Sequence, residues 1–196
     1  MKRRIFFIVW LSLFVLAGVF PVSNVFAQRK TKTSTKTAAA KPLPNLTLNT
    51  IDGQKWSLEE NLGRIVLINF WAMWCAPCRT EIPALVRLSN KYKASGLQVV
   101  GVSVDSENIE QINAFIKDYK INYPVLLASP GSLLSRQKAV PMTLLIDATG
   151  ILAKKYVGAA KESVFEKDIK DLIAKKSARM EGNQIRQTKR IFQAKR

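Results

Sequence analysis

The sequence contains no histidine and two cysteines, and these scarcities exclude several kinds of site before any motif is considered. A structural zinc site draws about four ligands from cysteine, histidine and acidic side chains, so we expect no zinc here. Catalysis that depends on a cysteine–histidine pair is excluded because the histidine is missing. No metal, nucleotide or flavin motif is present, and we therefore expect no bound cofactor.

Acidic residues are also scarce, since 14 Asp and Glu stand against 31 Lys and Arg, for a formal net charge of +17. Residues 43–176 hold 17 of the basic and 13 of the acidic residues, so most of the excess lies outside that central segment. Basic terminal segments favour anionic surfaces such as lipid headgroups or a cell-wall polymer. No motif for reading nucleic-acid sequence is present, so we do not expect a nucleic-acid partner.

No apolar run reaches the roughly 20 residues that a membrane-spanning helix needs. The longest, Ile5–Phe20, has 16 residues, follows the basic residues 2–4 and precedes Val25-Phe26-Ala27. This order predicts a signal peptide over residues 1–27 that is cleaved after Ala27, and an uncleaved membrane anchor is the alternative. Both interpretations place the rest of the chain outside the cytoplasm.

Composition divides the rest of the chain into three segments. Residues 28–42 are rich in Lys, Thr and Ala without apolar periodicity, which predicts a flexible basic linker. Residues 43–176 have the composition of a folded domain. Residues 177–196 are predicted to be a flexible basic tail, because Ile185, Ile191 and Phe192 are too sparse for an amphipathic helix; contact with a membrane surface is the alternative. Nothing indicates a dimerisation segment, so we expect a monomer.

Within residues 43–176 the strand and helix patterns alternate, which predicts an α/β domain with a mixed central sheet and helices on both faces. Ile65–Phe70 is almost continuously apolar, as in a strand that is buried on both faces. A helix over Pro77–Ala94 follows it directly. The other predicted elements are an edge strand at Asn45–Asn49, strands at Leu97–Val104 and Pro124–Leu127, helices at Ser106–Lys120 (with Ser106 as N-cap), Leu133–Ala139 and Glu162–Lys175, and a hairpin of Thr143–Asp147 with Ile151–Val157.

Both cysteines fall in one Cys-x-x-Cys motif, Trp74-Cys75-Ala76-Pro77-Cys78, which follows the buried strand and opens the helix. Free backbone N–H groups and the helix dipole favour an anion at that end, so we expect the thiol pKa of Cys75 to lie below its usual ~8.5. Cys75 is predicted to be the exposed nucleophile. Cys78, one turn further into the helix, is predicted to be the more buried resolving thiol.

Other interpretations of the pair fit the sequence less well. A structural disulfide between residues three apart closes a very short loop and stabilises little. Peroxide reduction by a lone peroxidatic cysteine disagrees with the two tryptophans at 71 and 74 and with the second cysteine that follows. A thiol–disulfide exchange site is therefore the favoured interpretation.

Residues 69–83, NFWAMWCAPCRTEIP, resemble the active-site stretch of extracytoplasmic thioredoxins of the TlpA/ResA type. The segment from Val140 to Thr143, with the strand pattern that follows it, is the second matching element. The resemblance covers about residues 43–175 and implies a thioredoxin fold with an extra helix and strand near residues 106–127. It also implies that Pro141 is a cis-proline that faces the cysteines. We expect a substrate groove bordered by Trp74, Pro77, Val140 and Met142.

In ResA-like proteins an acidic residue three positions after the second cysteine lies near the active site, and Glu81 occupies that position here. The resemblance implies that Glu81 tunes the thiols and exchanges a proton as Cys78 attacks. An ordinary surface glutamate is the alternative.

By this resemblance the chain is an extracytoplasmic thiol–disulfide oxidoreductase, in the periplasm or on the outer face of the inner membrane. It is expected to reduce disulfides in protein substrates with electrons from a membrane thiol-transfer protein, and the family's frequent task is to keep the haem-binding cysteines of apocytochrome c reduced. A disulfide oxidase or isomerase of secreted proteins and a redox-regulated binding module remain alternatives. The natural substrate is left open.

Overall fold

The computed structural model of the chain describes residues 42–105, 108–129, 132, 134 and 139–194. The predicted signal peptide, and the predicted linker apart from Pro42, lie outside the described residues and stay predictions. Within the described ranges no helix is both long enough and apolar enough to cross a lipid bilayer.

Strands and helices alternate along the described chain as the apolar patterns predict. In chain order the elements are β1 (Thr47–Thr50), β2 (Lys55–Ser57), a 3-10 turn (Glu59–Asn61), β3 (Ile65–Trp71), α1 (Ala76–Tyr92), β4 (Leu97–Ser103), α2 (Ile109–Asp118), β5 (Val125–Leu127), β6 (Met142–Ile146), β7 (Leu152–Val157) and α3 (Glu162–Ala194). The helix and strand expected near residues 106–127 are α2 and β5.

Seven strands form one sheet in the order β2-β1-β5-β4-β3-β6-β7. β4 pairs in parallel with both β3 and β5, whereas β6 runs antiparallel to β3 and to β7. The predicted mixed sheet is therefore confirmed. β3 lies near the middle, and all seven of its residues are buried, as its continuous apolar run predicts.

One face of the sheet carries the described helices. Ile65 and Leu67 of β3 pack with Leu85 and Leu88 of α1 and with Phe165 and Ile169 of α3. At the end of β3, Trp71 is fully buried and stacks on Phe115 of α2 with ring centroids 4.8 Å apart. The apolar stripes of the three helices thus meet the odd-numbered residues of β3.

The even-numbered residues of β3 face the other side of the sheet. There Val66, Ile68 and Phe70 form a second core with residues of the first two strands and with Leu134. The short helix predicted at Leu133–Ala139 falls mostly outside the described residues, which include only Leu134 and Ala139 of that range.

Two predicted element details are wrong. The first strand is not an edge strand, because β1 pairs with β5 on one side and with β2 on the other. The sequence pattern missed β2 because three residues are too few to show an alternation. The N-cap of α2 is Asn108, whose side chain accepts a 3.0 Å hydrogen bond from Gln111 N, and not Ser106, which lies outside the described residues.

The predicted end of the last helix at Lys175 is also wrong, since α3 continues through 33 residues to Ala194. The stretch that was predicted as a flexible tail has no proline, and most of its residues have good helix propensity. Its Gly182-Asn183 pair is a possible stop signal, but the helix continues through it. The prediction failed because it relied on apolar periodicity, which does end near Ile173.

Candidate active site

The two cysteines lie where the buried strand β3 passes into α1. Cys75 is the N-cap of α1, and its Sγ accepts a hydrogen bond of 3.2 Å from the backbone N–H of Cys78. The two residues form a disulfide with their Cα atoms 5.3 Å apart. Pro77 occupies the first turn of the helix, where a missing N–H removes no intrahelical bond. The Cys75 sulfur thus lies beside the free N–H groups of a helix N-terminus, which favour a thiolate after reduction.

Exposure differs from the prediction of an open nucleophile. In the disulfide form Cys75 is 3% exposed and Cys78 is 1% exposed. Both pack in a cluster with Trp71, Ala72 and Ile82. Cys75 is more exposed than Cys78, as predicted, but the difference is small, because the disulfide to Cys78 holds the Cys75 sulfur against the helix. The exposed residues of the motif are its neighbours Trp74, Ala76 and Pro77.

Pro141 immediately precedes β6, the antiparallel neighbour of β3. The Val140–Pro141 peptide bond is cis, and Met142 pairs with Phe70 of β3, so Pro141 lies level with Trp71. Val140 packs against the cluster that contains both cysteines. The structure therefore brings Val140 and Pro141 to the site.

Met142 does not border a groove as predicted. Its side chain is 8% exposed and belongs to the core on the other face of the sheet, together with Phe70. Side chains alternate along a strand, so a residue adjacent to one that faces the site points away from it. The sequence prediction counted nearness along the chain and neglected this alternation.

The loop before Cys75 is held by a carboxylate that the sequence prediction missed. Asp105 accepts one hydrogen bond from Met73 N at 2.6 Å and another from Trp74 Nε1 at 2.9 Å. Arg79 Nε donates to the carbonyl oxygen of Met73 at 3.0 Å. Trp74 itself is 62% exposed, so its indole is fixed by a hydrogen bond rather than by core packing. A signal was available, because Asp105 follows β4, the parallel neighbour of β3.

Asp105→Ala should loosen this loop. Two hydrogen bonds to one carboxylate are lost, and we expect the free energy of unfolding to fall by about 1–3 kcal/mol. Disulfide reduction should slow by about 10-fold, since the Trp74 indole no longer has a fixed position beside Cys75. Insulin reduction and urea unfolding measure the two effects.

The matched control for that variant is Asp118→Ala, which removes the same charge from an exposed position at the end of α2. Equal losses in both variants would show that the charge matters and that the hydrogen bonds to Met73 and Trp74 do not.

Glu81 is 2% exposed and lies one helical turn after Cys78. Its Oε1 accepts a hydrogen bond from Ala160 N at 2.9 Å, and its Oε2 accepts one from Asn69 Nδ2 at 2.8 Å. Asn69 Nδ2 also donates to Thr143 Oγ1 at 2.9 Å, and Asn69 and Thr143 are cross-strand partners on β3 and β6. A surface glutamate, the alternative in the sequence prediction, is therefore excluded.

Burial raises the pKa of Glu81, and its hydrogen bonds from Ala160, Thr143 and Asn69 oppose that rise without cancelling it. A carboxyl group with a raised pKa keeps its proton to a higher pH than an exposed glutamate does. Asn69 and Thr143 also escaped the sequence prediction. A polar residue in the middle of the apolar run of β3 was the available signal for Asn69, because buried polar groups need partners.

The AhpC/TSA family matches residues 39–188 of this chain. The thioredoxin-like protein YneN of Bacillus subtilis is 34% identical over 129 residues, which cover 64% of this chain and 75% of YneN. The thiol-disulfide oxidoreductase ResA of Bacillus subtilis is 30% identical over 167 residues, covering 83% of this chain and 90% of ResA. A thioredoxin-family thiol:disulfide interchange protein from Chlorobium tepidum TLS, a solved structure, matches with a TM-score of 0.62 and 30% identity, covering 69% of this chain and 98% of that one. These matches confirm the predicted thioredoxin fold.

Proposed function

This chain belongs to the AhpC/TSA family, in its TlpA/ResA-like group of thiol–disulfide oxidoreductases, and on that premise we propose that it reduces the disulfides of other proteins outside the cytoplasm. The observation that carries the proposal is the position of Cys75. Its sulfur caps α1 and is bonded to a second cysteine in the first turn of the same helix. This pair can cycle between a dithiol and a disulfide without a cofactor.

The exchange proceeds in two displacements. The Cys75 thiolate attacks one sulfur of a substrate disulfide, which breaks that bond, forms a mixed disulfide and releases the other substrate sulfur as a thiolate. The Cys78 thiolate then attacks the Cys75 sulfur and releases the second substrate thiolate. The substrate gains two electrons and two protons, and the protein ends in the Cys75–Cys78 disulfide form.

Glu81 is proposed to accept the proton of Cys78 in the second displacement. Its raised pKa means that the carboxyl group can hold that proton and then pass it on. When ionised, the same carboxylate disfavours a second negative charge nearby, so it keeps Cys78 protonated until Cys75 has formed the mixed disulfide.

A reductase in an oxidising compartment needs a source of electrons, because each turnover leaves the protein oxidised. We propose a membrane thiol-transfer protein as the donor and proteins with exposed disulfides as substrates, among them apocytochrome c with oxidised haem-binding cysteines. The sequence of residues 1–27 supports export, and ResA, which this chain resembles over most of its length, supports the reaction class.

The reduction potential of the cysteine pair tests the direction of this reaction. We expect a value of about −250 mV or below, in the range of reducing thioredoxins. A value near the roughly −120 mV of strong disulfide oxidants would contradict the proposal and favour oxidation of secreted proteins. Multiple-turnover reduction of insulin is also expected, and its absence at a low potential would favour a redox-regulated binding module.

A further inference from the structure

The second half of α3 extends beyond the packed domain. Phe165 and Ile169 are its buried residues, and Ile173 is the last apolar side chain that packs against the core. From Ser177 to Ala194 every described side chain is exposed except Gly182, which is intermediate. We call residues 175–194 the basic extension. The described part of the domain covers no face of this segment beyond Ser177, so its helical form gains little stability from tertiary packing.

The two halves of α3 differ in how their charges are paired. Each acidic residue from Glu162 to Asp171 has a basic partner within 4.0 Å, as in Arg87–Glu162, Lys91–Glu166 and Lys154–Asp168. The basic extension carries six Lys or Arg and one acid, Glu181. Among the described residues none of these six cations forms an ion pair. The extension therefore presents unneutralised positive charge.

The six cations share one side of the helix. Lys175, Arg179, Arg186 and Arg190 are spaced by four, seven and four residues, which places them within a sector of roughly 60°, and Lys176 and Lys189 widen it to about 140°. Four large apolar side chains lie outside that sector, toward the opposite side. They are Met180, Ile185, Ile191 and Phe192, they are 54–71% exposed, and they make up four of the ten exposed large hydrophobic residues in the described part of the chain.

From these observations we propose that the basic extension binds the surface of an anionic phospholipid bilayer and lies in the interface as an amphipathic helix. Lipid phosphates neutralise the cations, and the apolar side chains enter the boundary between headgroups and acyl chains. The apolar side chains favour a membrane over a nucleic acid, because a polyanion in water would contact the cations and leave Ile185 and Phe192 exposed.

The extension lies at the end of the domain opposite to the active site. Arg87 pairs with Glu162 and Lys91 with Glu166, so α1 and α3 run in the same direction and the extension continues past the end of α1 that is distant from Cys75. Lys175, Arg179 and Met180 share a cleft with Gly63, which precedes β3, and with the turn after β6. An interfacial helix lies parallel to the bilayer surface, so the Cys75 end of the domain is displaced along that surface from the residues that contact lipid.

Vesicle sedimentation tests the proposal. Every described helix and strand lies between Thr47 and Ala194, so the chain from Gln28 to Arg196 keeps the whole described fold and omits the apolar N-terminal run. We expect it to bind vesicles of equal parts phosphatidylglycerol and phosphatidylcholine and to bind phosphatidylcholine vesicles at least ~10-fold more weakly. Equal binding to both would overturn the proposal.

Two variants and a control locate the contact. R179Q/R186Q/R190Q should lower affinity for the anionic vesicles by at least ~10-fold, and I185S/F192S, which keeps every charge, by about 10-fold. The control K30Q/K32Q/K36Q also removes three positive charges, but from the N-terminal segment, and should lower affinity for the anionic vesicles by less than about 3-fold. Insulin reduction should be unchanged in all three, since none alters the site.

Other outcomes would overturn the proposal. Equal losses in the extension and N-terminal variants would show a general charge effect, and full binding by I185S/F192S would show that no side chain enters the interface. If the protein bound mixed-sequence RNA but not vesicles, the partner of the extension would be a nucleic acid. If the protein did not bind vesicles but formed a dimer that the I185S/F192S substitutions dissociate, the partner would be a second copy of the chain.

Discussion

Replacement of Cys75 by serine is expected to reduce insulin reduction to the background rate, a loss on the order of 10³-fold or more. A serine hydroxyl at the N-cap of α1 is not ionised at neutral pH and does not form a mixed disulfide. The fold should persist, because serine is itself a favourable N-cap residue and can accept the hydrogen bond from Cys78 N. Multiple-turnover reduction of insulin by the purified reduced protein is the measurement.

Replacement of Cys78 by serine is expected to stop the same reaction one step later. Cys75 can still attack, but nothing displaces the captured substrate, so the mixed disulfide should accumulate in about one equivalent per protein. Mass spectrometry after a cell-envelope extract is added would identify the trapped partners. The Cys75→Ser variant is the matched control and should trap none. A mixed disulfide between Cys78 and a substrate in the Cys75→Ser variant would show that Cys78, and not Cys75, is the nucleophile.

Glu81→Gln is expected to change both the thiol chemistry and the dependence of stability on pH. Loss of the carboxylate removes a negative charge one turn from Cys78, so the thiol pKa of Cys78 should fall. The second displacement should lose its proton acceptor and slow by about 10-fold or more. Thiol titration of the reduced protein and stopped-flow decay of a mixed disulfide report these two effects.

The stability effect of Glu81→Gln follows from the raised pKa of the carboxyl group. The folded protein binds this proton more tightly than the unfolded chain does, so the free energy of unfolding falls as pH rises from about 4.5 through the folded-state pKa. The amide carries no charge and removes that fall. The oxygen of the introduced amide can accept from Ala160 N. Asn69 Oδ1, which has no hydrogen-bond partner among the described residues, can accept from the new NH₂ group after the Asn69 amide flips.

We therefore expect oxidised Glu81→Gln to be more stable than the wild type above the folded-state pKa of Glu81 and no more stable at about pH 4. Urea unfolding at both pH values is the measurement. Glu166 acts in the opposite sense, because hydrogen bonds from Lys91, Tyr92 and Lys170 lower its pKa to about 2. The contribution of Glu166 to the free energy of unfolding is fully present above about pH 4.5 and is lost as the pH falls toward 2. It cancels when variant and wild type are compared, because both proteins contain Glu166. An equal free energy of unfolding for the variant and the wild type at both pH values would contradict a raised pKa for Glu81.

The mixed sheet was predictable because β3 and β4 are visible in the sequence as apolar runs, and the helices between strands show apolar stripes. The Cys75–Cys78 motif located the site for the same reason, since a short motif at a strand-to-helix junction needs no distant contacts. Asp105, Asn69 and Thr143 were not predicted, because each acts through a partner that the fold brings from another element. Periodicity carries no information about such pairs.

The last helix shows the converse failure. An apolar stripe predicts where a helix packs, and the stripe of α3 ends near Ile173, but helix propensity continues to Ala194. The prediction therefore gave the correct packed part and missed the exposed part. The basic extension is consequently the region where the structure adds most to the sequence.

Alkylation of the reduced protein by iodoacetamide across pH, with each cysteine quantified by mass spectrometry, tests most directly the claim that a thiolate at the start of α1 does the chemistry. We expect Cys75 to react first, with a midpoint at least one unit below the usual ~8.5, and Cys78 to react slowly throughout. Faster modification of Cys78, or a midpoint for Cys75 at or above ~8.5, would contradict the account.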